Sequence, residues 1–213
     1  MRVTLLSPSN AADGRVMENL AIFAARRCRT TKTLEDLSTE VMSYSDEKRE
    51  SFLTKVIVQD WAADVLEMAH LVYDIEGVPV WLVIELLRHR MVAREFSLEQ
   101  LSQRAIDGIK LKVEAPDPAL QNLVDGYMAQ IEDARTRLKI APEDIREIYP
   151  QGVLVNFVIA GNLRAFHHFW WMRNSPLMQG KGGAHRKFQE IADEMYKQAQ
   201  ERLPALTKVL VKA

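Results

Sequence analysis

The chain has 213 residues, of which 47% are hydrophobic and 27% charged, with 28 Lys plus Arg against 29 Asp plus Glu. That length suits about one large domain, and the composition excludes disorder, collagen-like repeats and low complexity. A net charge of -1 provides no overall field for a nucleic-acid backbone or an acidic membrane, so any anion must be caught by a local cluster. The single cysteine, Cys28, excludes an internal disulfide and a cysteine-based zinc site. The apolar run at the start is too short for a signal peptide, and no stretch approaches the ~20 apolar residues of a membrane span. A cytoplasmic protein is expected, with neither nucleic acid nor membrane as partner.

In chain order, residues 2–7 are β-compatible and stop at Pro8, which predicts a first strand. Val16, Leu20, Phe23, Ala24 and Arg27 recur at helical spacing, predicting an amphipathic helix over about 15–29. Asp46 and Glu47 open a second helix over 46–62. Leu71, Tyr73 and Ile75 alternate with Val72, Asp74 and Glu76, a half-buried strand over 71–76 closed by Gly77. Pro79 fits the first turn of a helix, and Val80 to Leu87 is apolar almost all round, so that helix is expected to be buried. It delivers Arg88-His89-Arg90. After Pro116 and Pro118 come a long helix over about 119–139, a short one at Pro142-Glu-Asp, and a third long apolar segment over 153–173 with a helix around 162–173. Beyond a break at Gly180-Lys-Gly-Gly183, a last amphipathic helix over 184–202 places Phe188, Ile191, Met195 and Ala199 on one side.

Three clusters are candidates for chemistry. Arg88-His89-Arg90 is either a basic helix terminus offsetting the macrodipole or a ligand-binding group. Ser102-Gln-Arg104 follows, and Ser and Arg two apart can both donate to a phosphate, or else cap a helix and pair on the surface. On the helix at 162–173, Arg164 and His168 share one face while Asn162 and Arg173 share another. For His167 and His168 the alternative is one exposed and one hydrogen-bonded core histidine. No metal-binding spacing, activated nucleophile or phosphate loop is present, so an enzyme of this kind would draw its hard chemistry from a bound cofactor. The residues by themselves predict a soluble α/β protein with three arginine-rich clusters suited to phosphorylated ligands.

The order of these clusters resembles the flavin-dependent thymidylate synthases, the ThyX family, in which Arg-His-Arg is followed by Ser-x-Arg. Ala24-Ala25-Arg26-Arg27-Cys28, Arg146-Glu-Ile-Tyr-Pro150 and Asn162-Leu-Arg164 through Arg173 are similar to further family motifs, and the resemblance runs from about 20 to 200. It implies one helix-rich α/β (α+β) domain over 1–213, a central mixed sheet packed by long helices, in a homotetramer with sites between subunits. It implies FAD as cofactor, with NADPH and methylenetetrahydrofolate as co-substrates, in the methylation of dUMP to dTMP. Arg88, His89, Arg90, Asn162, Arg164 and His168 are assigned to FAD, and Glu85, Arg88, Gln100, Ser102, Arg104, Arg146 and Arg173 to the nucleotide. The resemblance makes Arg173 the expected catalytic arginine, a fixed cation where the ionising uracil gathers charge; no metal is implied.

The resemblance is to a divergent member of the family. Eleven residues separate Arg90 from Ser102, about four more than the family spacing and close to one helical turn. Placing Ser97 at the signature serine instead would put Glu99 where the arginine belongs. Gln100 stands for a glutamate, Ala105 for a tyrosine, Glu85 for a glutamine, Ala62 for a histidine and Val65 for a proline, and residues are inserted around Gly180. These departures leave two further expectations: an enzyme acting on another deoxypyrimidine nucleotide, for example by hydroxymethylation, or an inactive nucleotide-binding homologue.

Overall fold

The computed structural model of the chain describes residues 1–92, 94–106, 110–174 and 185–210. The expected break at Gly180–Gly183 lies outside them. A four-stranded sheet is formed by β1 (Arg2–Ser7), β2 (His70–Pro79), β3 (Glu95–Leu98) and β4 (Leu154–Asn162), in the order β1-β2-β4-β3. Helices supply most of the rest, giving the expected helix-rich α+β class. The sheet is antiparallel, not mixed. In the central pair the Gly77 N–H donates to the Asn156 side chain and the Leu163 N–H donates to the Ala69 carbonyl, so residue numbers on β2 and β4 run in opposite senses.

The chain divides into two compact units, Met1–Arg2 with Ile75–Arg88 and Phe96–Val158, and Val3–Asp74 with His89–Glu95 and Ile159–Ala213. In the first unit, β2 passes through Gly77, at φ 68°, and ends at Pro79, so Gly77 does not close the strand. Helix α4 (Val80–Leu86) starts directly after Pro79, and its first N–H groups donate to the Val153 and Gln151 carbonyls. It buries Leu82, Val83 and Leu86 but leaves Ile84 and Leu87 exposed, so it is not covered all round as its composition suggested. The extra residues after Arg90 do not extend this helix; Glu95–Leu98 is strand β3, with Phe96 against Phe157. Short α5 (Leu101–Ile106), α6 (Pro118–Leu138) and α7 (Pro142–Ile145) follow. Asp117 caps α6 and Pro118 occupies its first turn. The core here is Leu111, Met128, Ile131, Ile145 and Val153.

The second unit holds α1 (Ala11–Arg27), α2 (Leu34–Met42) and α3 (Asp46–Thr54), capped by Asn10, Thr33 and Ser45. The expected helix over 46–62 changes to a π-helical turn at Lys55–Gln59 and ends at Trp61, whose φ of 57° no α-helix accepts. A 3-10 turn, Ala63–Met68, leads into β2. Helices α8 (Leu163–Asn174), α9 (Arg186–Arg202) and α10 (Pro204–Leu210) complete it. The predicted stripe Phe188, Ile191, Met195, Ala199 is buried on α9, and Tyr73 donates to the Met195 carbonyl at 2.8 Å while its ring meets Phe166 edge-on. Each such fully buried large apolar side chain contributes roughly 1.5–3 kcal/mol.

The apolar segment at 153–173 is a strand followed by a helix. Along β4, Val155, Phe157, Ile159 and Gly161 are buried, and Asn156, Val158 and Ala160 are half-buried. Apolar residues on both faces conceal the period of two that marks a strand.

Candidate active site

In the second unit, Arg173 sits near the C-terminal end of α8, seven residues beyond the buried Phe166. Its Nη2 donates to His89 Nε2, and its guanidinium carbon lies 4.3 Å from the centre of the Phe188 ring. His89 is oriented by a perpendicular contact with Phe169, ring centroids 5.1 Å apart. A guanidinium can only donate, so His89 Nε2 is the acceptor in this contact. The result is a half-buried cation whose direction is set by an imidazole on one side and an aromatic face on the other. Two residues 84 apart in sequence, one from each of two expected clusters, are thereby brought together.

The other cofactor candidates of this unit are placed differently. Asn162 is the last residue of β4, and its Oδ1 accepts the Ala165 N–H at 2.9 Å, so it caps α8 and does not share a helical face with Arg173. Arg164 pairs with Glu67 at 2.8 Å on the exposed side of α8. His168 is exposed one turn further along, and Arg90 is exposed as well. His167 is half-buried, which leaves one exposed and one partly buried histidine. Burial holds the His167 imidazole below the usual histidine range, with the nearby His168 charge adding to the effect and a hydrogen bond with the Leu210 backbone opposing it.

In the first unit, Glu85 is half-buried on α4, and Arg88, Gln100 and Arg146 are exposed. Ser102 is buried, 5% exposed, so its hydroxyl is not on an open surface. Arg104 is half-buried and donates through Nε to Glu99 at 2.5 Å. Among the described residues, Arg88, Arg90 and Arg146 form no ion pair, whereas Arg104 and Arg164 are each held by a carboxylate. Uncommitted guanidinium groups are the ones suited to grip a phosphate or pyrophosphate oxygen in two places at once. Glu99 and Phe188 were not expected in the site. Phe188 carried only a core-stripe signal, and Glu99 only the competing register of the serine motif.

Among the described residues no group of His, Cys, Asp and Glu is arranged to hold a metal, and no helix is long and apolar enough to cross a membrane.

The model of the thymidylate synthase complementing protein family matches residues 15–205. The flavin-dependent thymidylate synthase of Mycobacteroides abscessus is 32% identical over 149 residues, 59% of this chain and 58% of that protein. The chain thus matches little more than half the length of such relatives. The fold is similar to that of thymidylate synthase X from Helicobacter pylori, solved with FAD and dUMP, with a TM-score of 0.70 at 15% identity over 99% of both chains. It is also similar to a UMP/dUMP methylase from Streptomyces cacaoi bound with 5-Br dUMP, with a TM-score of 0.69 at 15% identity over 99% of this chain and 94% of that one. With nearly the whole sequence matched by the family model and the fold shared along its length, the chain belongs to the thymidylate synthase complementing protein family, whose named relatives are flavin-dependent thymidylate synthases.

Proposed function

We propose that the protein methylates dUMP to dTMP, with FAD as bound cofactor, methylenetetrahydrofolate as carbon donor and NADPH as reductant, working as a homotetramer in the cytoplasm. The observation that carries the reading is the guanidinium of Arg173, held between His89 and the Phe188 ring. A cation fixed before the reaction stabilises negative charge that develops on the uracil ring without the reorganisation a mobile side chain would need. Activation of the ring carbon then requires no protein nucleophile.

The donor set fits a flavin dinucleotide. Arg88 and Arg90 present exposed guanidinium groups with no carboxylate partner among the described residues, the chemistry that binds a pyrophosphate. We assign FAD to Arg88, His89, Arg90, Asn162, Arg164 and His168; Arg164 must exchange Glu67 for the ligand to take part, and Asn162 contributes its amide nitrogen while its oxygen caps α8. Bound FAD supplies the hydride and one-carbon chemistry that no side chain of this protein can perform. Glu85, Arg88, Gln100, Ser102, Arg104, Arg146 and Arg173 are assigned to the nucleotide, with exposed Arg88 and Arg146 as its anion-binding groups.

A second reading, a related flavoenzyme for another deoxypyrimidine nucleotide, is favoured by the half-buried carboxylate of Glu85 among the nucleotide candidates, which repels a phosphate unless an arginine lies between them. One experiment separates the readings. Protein loaded with FAD and desalted is treated with NADPH, then with folate and each nucleotide in turn. Retained flavin that is bleached by NADPH and reoxidised only with folate and dUMP supports the synthase; reoxidation by a different nucleotide supports the second reading; loss of flavin overturns both. Arg173→Ala is expected to lower turnover by roughly 100-fold or more with flavin retained, and an unchanged rate removes Arg173 from the reaction.

A further inference from the structure

Arg104 is not a free-standing cation. Its Nε donates to Glu99 Oε1 at 2.5 Å, and its Nη1 is 3.5 Å from the Leu154 carbonyl. Glu99 is fixed in turn. Its N–H donates to the Asn156 carbonyl at 3.0 Å, and its Oε2 accepts the Asn156 N–H at 3.0 Å. The carboxylate thus occupies the place where a strand carbonyl would complete the ladder pair with β4. Asn156 is itself tied to β2, its Oδ1 accepting the Gly77 N–H at 3.0 Å. A chain of bonds runs from β2 through Asn156 and Glu99 to the guanidinium, and the side chains of Arg104 and Glu99 are only 15% and 26% exposed, which limits solvent screening of the pair.

We infer that Glu99 is a positioning residue for the nucleotide: anchored to β4, it grips Arg104 by the Nε edge and fixes the direction of the guanidinium. Among the described residues nothing is hydrogen-bonded to Arg104 Nη2, so this is the corner presented to a ligand. The pair has no net charge, so Arg104 acts as a directed hydrogen-bond donor to a nucleotide oxygen, while the anion is neutralised elsewhere. A glutamine at 99 breaks the arrangement, because Arg104 and the Asn156 N–H donate to different oxygens of Glu99, so one of the two donors would face the amide NH2. The inference rests on the reading above in which Arg104 contacts the nucleotide.

The test is a double-mutant cycle on FAD-loaded protein, with dUMP affinity read from the flavin absorbance and thermal stability measured alongside. Glu99→Gln is expected to weaken dUMP binding about tenfold, equivalent to about 1.4 kcal/mol. Arg104→Ala is expected to weaken it at least as much, and the double variant no further than Arg104→Ala alone. If Arg104→Ala leaves dUMP affinity unchanged, the nucleotide role of Arg104 falls and this inference with it. If Arg104→Ala weakens binding but Glu99→Gln does not, or if the two losses simply add, Glu99 does not act through Arg104 while the nucleotide reading stands. A fall in melting temperature with dUMP affinity intact would make Glu99 a structural residue only and overturn the inference.

Discussion

Glu18 is 4% exposed in the middle of α1, and it closes the account of donors at the start of α10. Pro204 has no N–H, the Ala205 and Leu206 N–H groups donate to Glu18 Oε1 at 2.7 and 3.3 Å, and the Thr207 N–H donates to the Leu203 carbonyl at 3.0 Å. Glu18→Ala therefore strands two donors at residues that are 7% and 0% exposed. Each unsatisfied buried donor costs roughly 1–3 kcal/mol, and removing a desolvated carboxylate returns part of this, so the loss is expected to be about 2–3 kcal/mol. For a chain of this size that lowers the melting temperature by roughly 5–10 °C. Glu18→Gln keeps one accepting oxygen and is expected to cost less than about 1 kcal/mol at neutral pH. Burial raises the Glu18 carboxyl above its usual value of 4.5, against the two backbone N–H groups and the Arg49 and Arg15 charges. The folded state therefore holds this proton more tightly than the unfolded chain. The stabilisation it gives is complete below 4.5 and is lost as pH rises through the folded-state value. Wild type should accordingly gain on Glu18→Gln as pH is lowered from 7 towards 4.5, measured by urea unfolding at each pH. Glu18→Ala unfolding within about 0.5 kcal/mol of wild type, or Glu18→Gln proving as damaging as Glu18→Ala, would refute the capping account.

Two other substitutions probe the same unit. Gly14 lies on α1 where an added Cβ would run into the Arg202 carbonyl at the end of α9, so Gly14→Ala should destabilise by about 2 kcal/mol in chemical denaturation although alanine is the better helix former. His167, held below its ordinary value of 6.5 mainly by burial, takes up a proton less readily folded than unfolded, so stability falls as pH drops below 6.5; His167→Gln should flatten that part of the profile.

Local periodicity was sufficient wherever an element had one buried side. The stripe of Phe188, Ile191, Met195 and Ala199 on α9, the strand ending at Ser7 and the proline-led starts of α6 and α7 follow from apolar spacing and capping chemistry, which act within a few residues. Periodicity failed at β4, because Leu154–Ala160 is apolar on both faces apart from Asn156, and at Lys55–Trp61, where backbone geometry breaks the helix. Short β3 and α5 carry too few residues for any period to register.

The arginine clusters were legible as motifs, and the motifs led to the family. Which of those arginines are committed was not legible. Arg104 is held by Glu99, Arg164 by Glu67, and Arg173 by His89 and Phe188, whereas Arg88, Arg90 and Arg146 stay exposed. The state of a guanidinium depends on which carboxylate, imidazole or ring comes within a few ångströms. For residues 84 or 97 positions apart that proximity is set by how strands and helices pack, not by the side chains adjacent in sequence.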